Sequence, residues 1–318
     1  MVRAKKVSGI DCQAPALDGI RLVLRQRFDE MFKLRRAALK WKDPEGVHSM
    51  RVASRRLRSA SGDFLPYLNK RRVNSSLRQI KSLADGLGEV RDLDVAIMAL
   101  EKLKSEVPTA YSKTLDDLID SRKEKRQAAR KELKSKLGRR RMEELASEFE
   151  TALTAATTRL SQGSVEEAYI DVARTVIRER LQELETLSSS LYRPTHAEPL
   201  HEMRIAAKGL RYAIELFSDC WNPGLMGFAG ETANLQIALG NLHDCDVWIA
   251  RFEKEIYQTR KRKERDEGET FVWLFTYFTQ ARSKHFQEAF SIWNKWESEG
   301  FIRRLREVLT APVTPETT

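Results

Sequence analysis

Glycine and proline are scarce in this 318-residue sequence, which contains 15 of the first and 9 of the second. Because these residues form turns and interrupt helices, their scarcity argues against a many-turned β architecture and favours long helices. The N-terminus is basic but lacks the apolar segment of a secretory signal, and no apolar run approaches the roughly 18 residues that span a bilayer. We therefore predict a cytoplasmic protein with no membrane partner.

Metal-binding patterns are also missing from the sequence. The three cysteines, Cys12, Cys220 and Cys245, lack the spacing of metal ligands. No cluster of carboxylates shows ligand spacing either. We therefore expect no metal, no cofactor and no catalytic residue.

Positive charge, by contrast, is abundant. The chain has 56 Lys and Arg residues against 46 Asp and Glu residues, which gives a net charge of +10. This excess favours an anionic partner, but it does not distinguish among nucleic acid, polyphosphate, acidic lipid and acidic protein.

An internal repeat organises the chain. A shift of 153 residues places VHSMRVASRRLRSA (47–60) on LHEMRIAAKGLRYA (200–213), and seven of the fourteen positions are identical. A shift of 152 residues places LGEVRDLDV (87–95) on LGNLHDCDV (239–247). The chain therefore consists of two homologous halves. We predict repeats at 17–165 and 166–310 within a single domain spanning 1–318, with flexible tails at 1–16 and 311–318.

Each half is predicted to be helical. Asp43 followed by Pro44 is typical of a capped helix start, and THAE (195–198) has capping-box spacing at the equivalent place. Gly88 and Gly240 predict helix ends, with a new helix starting at each following Asp-containing segment. Since no alternating strand pattern is evident, we predict an all-α fold of two four-helix bundles related by a pseudo-twofold axis.

The repeated segment predicts a helix with two different faces. At 100° per residue, one sector of roughly 80° is cationic and a similar sector nearly opposite is apolar. The cationic sector contains His48, Arg51, Arg55 and Arg58 in the first half and His201, Arg204, Lys208 and Arg211 in the second. Arg56 lies off the cationic sector, and we expect it to be solvated.

A solvated helix surface is the ordinary explanation of a single basic stripe, but two features argue against it. Residues 47–62 contain no acid that could pair with these cations at i,i+4, and the stripe recurs in the second half. Cations that repel one another favour a bound anion, and guanidinium groups bind phosphate oxygens in a bidentate manner. A stripe of about 15 Å would contact several phosphates.

The second repeated motif contains Asp92 and Asp94, matched by Asp244 and Asp246. Their i,i+2 spacing places the two carboxylates of a pair on different helix faces, so capping or pairing with an arginine is favoured over metal binding. The eleven Lys and Arg residues within 122–141 spread around a helix axis, which is typical of a solvated helix that widens the positive field.

Together these motifs resemble the CHAD domain, the conserved histidine α-helical domain. The resemblance is carried by VHSMRVASRRLRSA and LGEVRDLDV, repeated as LHEMRIAAKGLRYAIELF and LGNLHDCDV, and it extends over roughly residues 17–310. It implies two four-helix bundles around a central basic cavity that binds inorganic polyphosphate. Several family members associate with polyphosphate granules.

The resemblance also implies which side chains bind polyphosphate. The expected primary contacts are His48, Arg51, Arg55, Arg58, His201, Arg204, Lys208 and Arg211, and the expected secondary contacts are Arg78, Lys81, Arg91, Arg130 and Arg282. Gly209 and His243 depart from the basic pattern of the first half, which implies weaker contact by the second half. The ExExK motif of the triphosphate-tunnel domain is absent, so a standalone CHAD protein is expected.

We therefore expect non-catalytic binding of polyphosphate, with granules or polyphosphate-metabolising enzymes as further partners. One alternative is a basic helical protein that binds nucleic acid, although the motif helices offer few aromatic side chains for base stacking. The other is a metal-dependent phosphohydrolase, which would need divalent ions or an activated nucleophile beside the arginines.

Overall fold

The computed structural model describes residues 7–158, 167–221, 224–262 and 264–311. Within these ranges the regular structure is helical, and the β structure is limited to an isolated bridge between Pro15 and Ala168. The predicted all-α class is therefore confirmed. None of the helices described combines the length and apolar character required to cross a membrane.

The chain divides into two compact units, Met1–Val172 and Ala173–Thr318. Unit 1 contains α1 (Ala16–Lys33), α2 (Arg35–Ala38), α3 (Glu45–Phe64), α4 (Lys70–Leu103), α5 (Ser112–Lys136) and α6 (Arg139–Thr157). The boundary falls inside α7 (Tyr169–Leu187), a few residues after the predicted end of the first repeat. Unit 2 continues with α8 (Ala197–Phe217), α9 (Met226–Arg262), α10 (Arg265–Glu299) and α11 (Phe301–Thr310).

Short 3-10 helices follow or precede several of these elements. They span Leu65–Tyr67, Thr109–Tyr111, Ser188–Tyr192 and Ser218–Trp221. The first and the last tighten the chain directly after α3 and α8. The two motif helices therefore end in the same way in both units.

The start of α3 follows the sequence prediction. The backbone N–H of Glu45 donates to Asp43 Oδ1 at 2.8 Å, and Pro44 already has helical dihedral angles. The start of α8 does not follow it. No side chain caps the first turn after His196, so the predicted capping box at 195–198 is wrong.

The motif helices bury the apolar faces that the sequence indicates. In α3 the buried side chains include Met50, Ala53, Leu57, Ala60 and Phe64. In α8 they include the equivalent Met203, Ala206, Leu210, Ala213 and Phe217. Burying a large apolar side chain contributes about 1.5–3 kcal/mol, so this face fixes the rotation of each helix in its unit.

The predicted helix ends at Gly88 and Gly240 are wrong. Both residues lie inside continuous helices, α4 and α9. A glycine inside a helix costs about 1 kcal/mol relative to alanine. Packing of α4 against α3, α5 and α6, and of α9 against α8 and α10, offsets that local cost.

The N-terminal segment is held on unit 1. Val7 is buried, the Ser8 N–H donates to Gln26 Oε1 at 3.0 Å, and the Gln26 amide donates back to the Ser8 carbonyl at 2.8 Å. These contacts attach residues 7 and 8 to α1, and the flexible tail over 1–16 stays a prediction. Residues 1–6 and 312–318 lie outside the described residues.

Candidate anion-binding site

The cationic face of α3 lies opposite the core. His48, Arg51 and Arg55 are partly buried, and Arg58, nearer the end of the helix, is exposed. Because the apolar face is anchored in unit 1, these four side chains are held in a row along the opposite side of the helix. The predicted grouping of the four residues on one face is what the structure contains.

Helix α4 supplies carboxylates to two of these cations. Arg51 Nη1 lies 2.8 Å from Asp92 Oδ1, and Arg58 Nη1 lies 3.6 Å from Asp85 Oδ1. The side chains of Asp92 and Asp85 are 68% and 59% exposed, so water screens both pairs. Of the two roles predicted for Asp92, capping or pairing with an arginine, the structure shows the second. A more highly charged anion could displace Asp92 from Arg51.

Arg91 on α4 adds another cation to the α3 face. Burial, followed by the charge of Arg91, lowers the pKa of His48, and Arg51 and Arg55 lower it further against the opposing effect of Glu45. Across the described parts of the chain, neither Arg55 nor Arg91 has a carboxylate within ion-pair distance. The first-half face is therefore more cationic than its two ion pairs can balance.

Burial, followed by the charge of Arg55, also lowers the pKa of the Arg51 guanidinium. The direction shows that the surroundings penalise the positive charge despite the opposing contribution of Asp92. A bound anion would relieve that penalty.

Arg56 does not lie in solvent. Its side chain is 5% exposed, with Nη1 4.0 Å from Glu30 Oε1, and the same carboxylate group pairs with Arg27 at 3.0 Å. The prediction that Arg56 is solvated is wrong, because its position on α3 faces α1. Arg56 therefore belongs to the packing between these two helices.

The second-half face is built around a pair of histidines. His201 Nδ1 on α8 lies 3.0 Å from His243 Nδ1 on α9, and the ring centroids are 4.1 Å apart. One ring must donate a proton and the other accept it in this contact. Burial, followed by the charges of Arg204 and Lys208, lowers the pKa of His201, which favours its neutral form.

Arg211 departs from the predicted role. It is 6% exposed, donates to Glu215 at 2.7 Å and to Gln236 at 3.3 Å, and lies over the Tyr212 ring. This burial conflicts with the prediction that Arg211 faces an anion, since its donors are directed to partners inside unit 2. Its repeat equivalent, Arg58, is exposed.

Two of the secondary candidates, Arg130 and Arg282, form ion pairs with aspartates of α4 and α9. Asp94 is 2% exposed and accepts from Arg126 at 3.1 Å and Arg130 at 3.4 Å. In unit 2 the equivalent pair joins Arg282 to Asp246 at 2.5 Å. These contacts tie α4 to α5 and α9 to α10, which leaves Arg130 and Arg282 fewer donors for an anion.

The remaining secondary candidates lie elsewhere on α4. Arg78 and Lys81 are exposed, and Arg78 lines a separate cavity described below. Sequence reasoning missed Arg126, whose spacing of four residues before Arg130 was the available signal. The sequence did not predict a contact for His243, which the structure places against His201.

The geometry defines an all-helical protein with a cationic helix face in each unit. The sequence matches the family model of the CHAD domain over residues 22–253, which is most of the chain. The chain belongs to the CHAD domain family. Related proteins of this family bind polyphosphate.

Solved structures share this fold. The crystal structure of the CHAD domain from the plant Ricinus communis is 20% identical, with a TM-score of 0.66, and the match covers 98% of this chain and 97% of that one. PptA from Streptomyces chartreusis is 16% identical, with a TM-score of 0.63, and the match covers 88% of this chain and 100% of that one. No curated protein has a significant match to this sequence.

Proposed function

We propose that this protein binds inorganic polyphosphate without transforming it, through the cationic faces of α3 and α8. The observation that carries the proposal is the group formed by His48, Arg51, Arg55 and Arg91, in which two guanidinium groups lack a carboxylate partner among the described residues. Membership of a family whose relatives bind polyphosphate supports the choice of polyphosphate as the anion.

The proposed contacts in unit 1 are His48, Arg51, Arg55, Arg58 and Arg91. The four contacts on α3 form a row about 15 Å long, at 1.5 Å per residue, and Arg91 on α4 lies beside His48. A row of that length suits a linear chain of phosphates better than a single phosphate, because successive cations can meet successive phosphoryl groups. Bidentate guanidinium contacts would supply most of the binding energy.

The proposed contacts in unit 2 are His201, Arg204 and Lys208, with His243 adjacent. We omit Arg211 because its donors already meet Glu215 and Gln236. Arg130 and Arg282 are assigned to orienting the acidic side chains Asp94 and Asp246. Cytoplasmic location, recruitment to polyphosphate granules and the grouping of both repeats into one domain stay parts of the proposal.

Fluorescence anisotropy with labelled polymers tests the choice of anion. Long-chain polyphosphate and single-stranded RNA are titrated at matched phosphate concentration and physiological salt. We expect polyphosphate to bind more tightly, with an affinity that falls steeply with added salt, as counterion release produces for nucleic acid. Equal affinity, or a preference for RNA, would establish the nucleic-acid alternative.

Phosphate release tests the absence of catalysis. Among the residues described, no group of three or more His, Cys, Asp or Glu side chains is placed to hold a metal ion. Incubation with polyphosphate and either Mg²⁺ or Mn²⁺ is expected to release no orthophosphate. Release that depends on added metal would establish the phosphohydrolase alternative.

A further inference from the structure

A cavity of about 250 Å³ lies in unit 1 between α4, the end of α5 and the start of α6. Three cationic side chains line it, one from each helix: Arg78, Lys136 and Arg141. The hydroxyl-bearing residues Ser75 and Ser82 of α4 line it as well. The cavity therefore brings phosphate-binding side chains together from three separate elements.

This cavity is separate from the cationic face of α3. On α4, Asp85 and Asp92 contact that face, and neither of these aspartates nor any of the α3 cations lines the cavity. An anion in the cavity would therefore meet a different set of side chains.

Two of the three cations at the cavity are not neutralised by protein groups. Lys136 pairs with Glu132 at 2.7 Å. Within the part of the chain that the structure describes, Arg78 and Arg141 have no carboxylate within ion-pair distance. The residues just before Arg141 differ, since Arg139 and Arg140 each pair with a glutamate one turn later at 2.8 Å.

The interior side of the cavity is apolar. Leu83, Met142 and Leu145 line it, and all three are buried. Arg78 and Arg141 are themselves exposed, but these apolar side chains exclude water from one side of the cavity, which strengthens the attraction between a guanidinium group and an anion there. The volume is several times the roughly 30 Å³ that one water occupies in the liquid, so a small polyanion can fit.

We propose that this cavity is a second anion site, which binds inorganic pyrophosphate. Arg78 and Arg141 would each contact one phosphoryl group through a planar guanidinium fork, Lys136 would add a third charge, and the two serines would donate hydrogen bonds. The proposal does not depend on polyphosphate binding at α3 or α8, because none of those side chains lines the cavity.

The methyl signal of Met142 provides a local test. In protein labelled with ¹³C-methyl methionine, the Met142 signal is assigned by Met142→Leu and followed during titration with pyrophosphate. We expect a saturable shift in the wild type that is lost in Arg78→Ala/Arg141→Ala. Met50 and Met203, which lie behind the α3 and α8 faces, report separately on pyrophosphate bound there.

The matched control is Arg139→Ala/Arg140→Ala, which removes the same charge from the first turn of α6. It should retain the Met142 shift, with an apparent Kd within twofold of the wild-type value. If the Met142 signal does not move in the wild type, or if both double variants lose the shift equally, the proposal is overturned. Should the alanine variant fail to fold by circular dichroism, Arg78→Gln/Arg141→Gln replaces it.

Discussion

The two motif helices share a pattern but differ in how their positive charge is held. In unit 1, His48 lies near Arg91, and the charge of Arg91 lowers the pKa of His48. In unit 2 the equivalent position is His243, which contacts His201 through ring nitrogens. Both faces carry arginine or lysine side chains, but the group beside the motif histidine is a guanidinium in unit 1 and a second imidazole in unit 2.

The two helices also differ in side-chain exposure toward their C-terminal ends. Arg58 is exposed beside the exposed Asp85, whereas Arg211 is buried against Glu215 and Gln236. The same residue type at the same repeat position therefore serves as an anion contact in one unit, by our proposal, and as a packing residue in the other. The repeat predicts where a charged side chain lies along the helix but not which groups that side chain contacts.

Removing two cations from each face should produce the largest difference between the units. Arg51→Ala/Arg55→Ala is expected to weaken binding of long-chain polyphosphate at least tenfold, or about 1.4 kcal/mol. Arg204→Ala/Lys208→Ala should weaken it about threefold, because a lysine lacks the bidentate fork. Fluorescence anisotropy across a salt series measures both the affinity and the slope.

The control for charge alone is again Arg139→Ala/Arg140→Ala, which should bind polyphosphate within twofold of the wild type. Equal losses in the two units would show that the two faces contribute equally to binding, against the expected difference. Losses equal to that of the control would place the anion away from both motif helices.

Arg58→Met and Arg211→Met separate binding from stability. Arg211→Met should lower the free energy of unfolding by about 2–3 kcal/mol, because it removes an ion-pair partner of the largely buried Glu215. The polyphosphate affinity of this variant should stay within twofold of the wild-type value. Arg58→Met should do the reverse, with a loss of affinity of about threefold and little change in denaturant midpoint. If Arg211→Met loses polyphosphate affinity without losing stability, Arg211 is an anion contact, against our proposal.

Arg91 and His243 occupy equivalent positions in the two repeats, and exchanging their residue types tests the role of pH. The pKa values of His48 and His201 are lowered, so both rings are largely neutral in the free protein at pH 7. A bound polyanion favours their protonation, so wild-type affinity should rise as the pH falls from 8 to 6. His243→Arg should increase affinity at pH 8 about threefold and reduce this pH dependence, whereas Arg91→His should do the opposite.

The source of the pH response is tested by His48→Ala/His201→Ala. We expect the difference in affinity between pH 6 and pH 8 to be lost in this variant. A response that persists would have to come from other groups, with His243 the nearest candidate in unit 2. The readout is anisotropy at constant ionic strength.

The stability of the free protein should respond to pH in the opposite direction. Because the folded-state pKa values of the two histidines lie below the unfolded value near 6.5, the unfolded chain takes up more protons. The histidine contribution to stability is complete above that value and is lost as the pH falls from it through the lower folded-state pKa values. Thermal unfolding of the wild type between pH 5 and 8, compared with the double histidine variant, isolates this contribution.

The smallest expected effect concerns the carboxylate that neutralises the first face. Asp92→Asn removes the exposed partner of Arg51 and should increase polyphosphate affinity about twofold, as expected for a screened pair. Glu89→Gln on the same helix removes an equal charge from an exposed residue that forms no ion pair with any of the described residues, and it serves as the control. A decrease on Asp92→Asn would mean that Asp92 positions Arg51 for the anion.

Local patterns predicted much of the fold but failed where tertiary packing opposed them. The apolar residues of α3 and α8 recur at helical spacing, so their burial follows from sequence alone. Gly88 and Gly240 looked like helix ends, yet neighbouring helices hold α4 and α9 continuous. Arg56 looked solvated because no sequence pattern reveals that its side of α3 faces Glu30.

For the candidate site, too, some features follow from the sequence and others only from tertiary packing. By itself the sequence determined that the chain is all-helical, that it is repeated, and that each motif helix carries a basic stripe opposite an apolar one, because periodicity is a local property. Only the tertiary structure decided which charges are left without partners. Arg51 meets Asp92, Arg130 meets Asp94, Arg211 meets Gln236 and His201 meets His243 because residues far apart in the chain are brought within hydrogen-bond distance. The charge available to an anion depends on those contacts, and composition and spacing do not contain them.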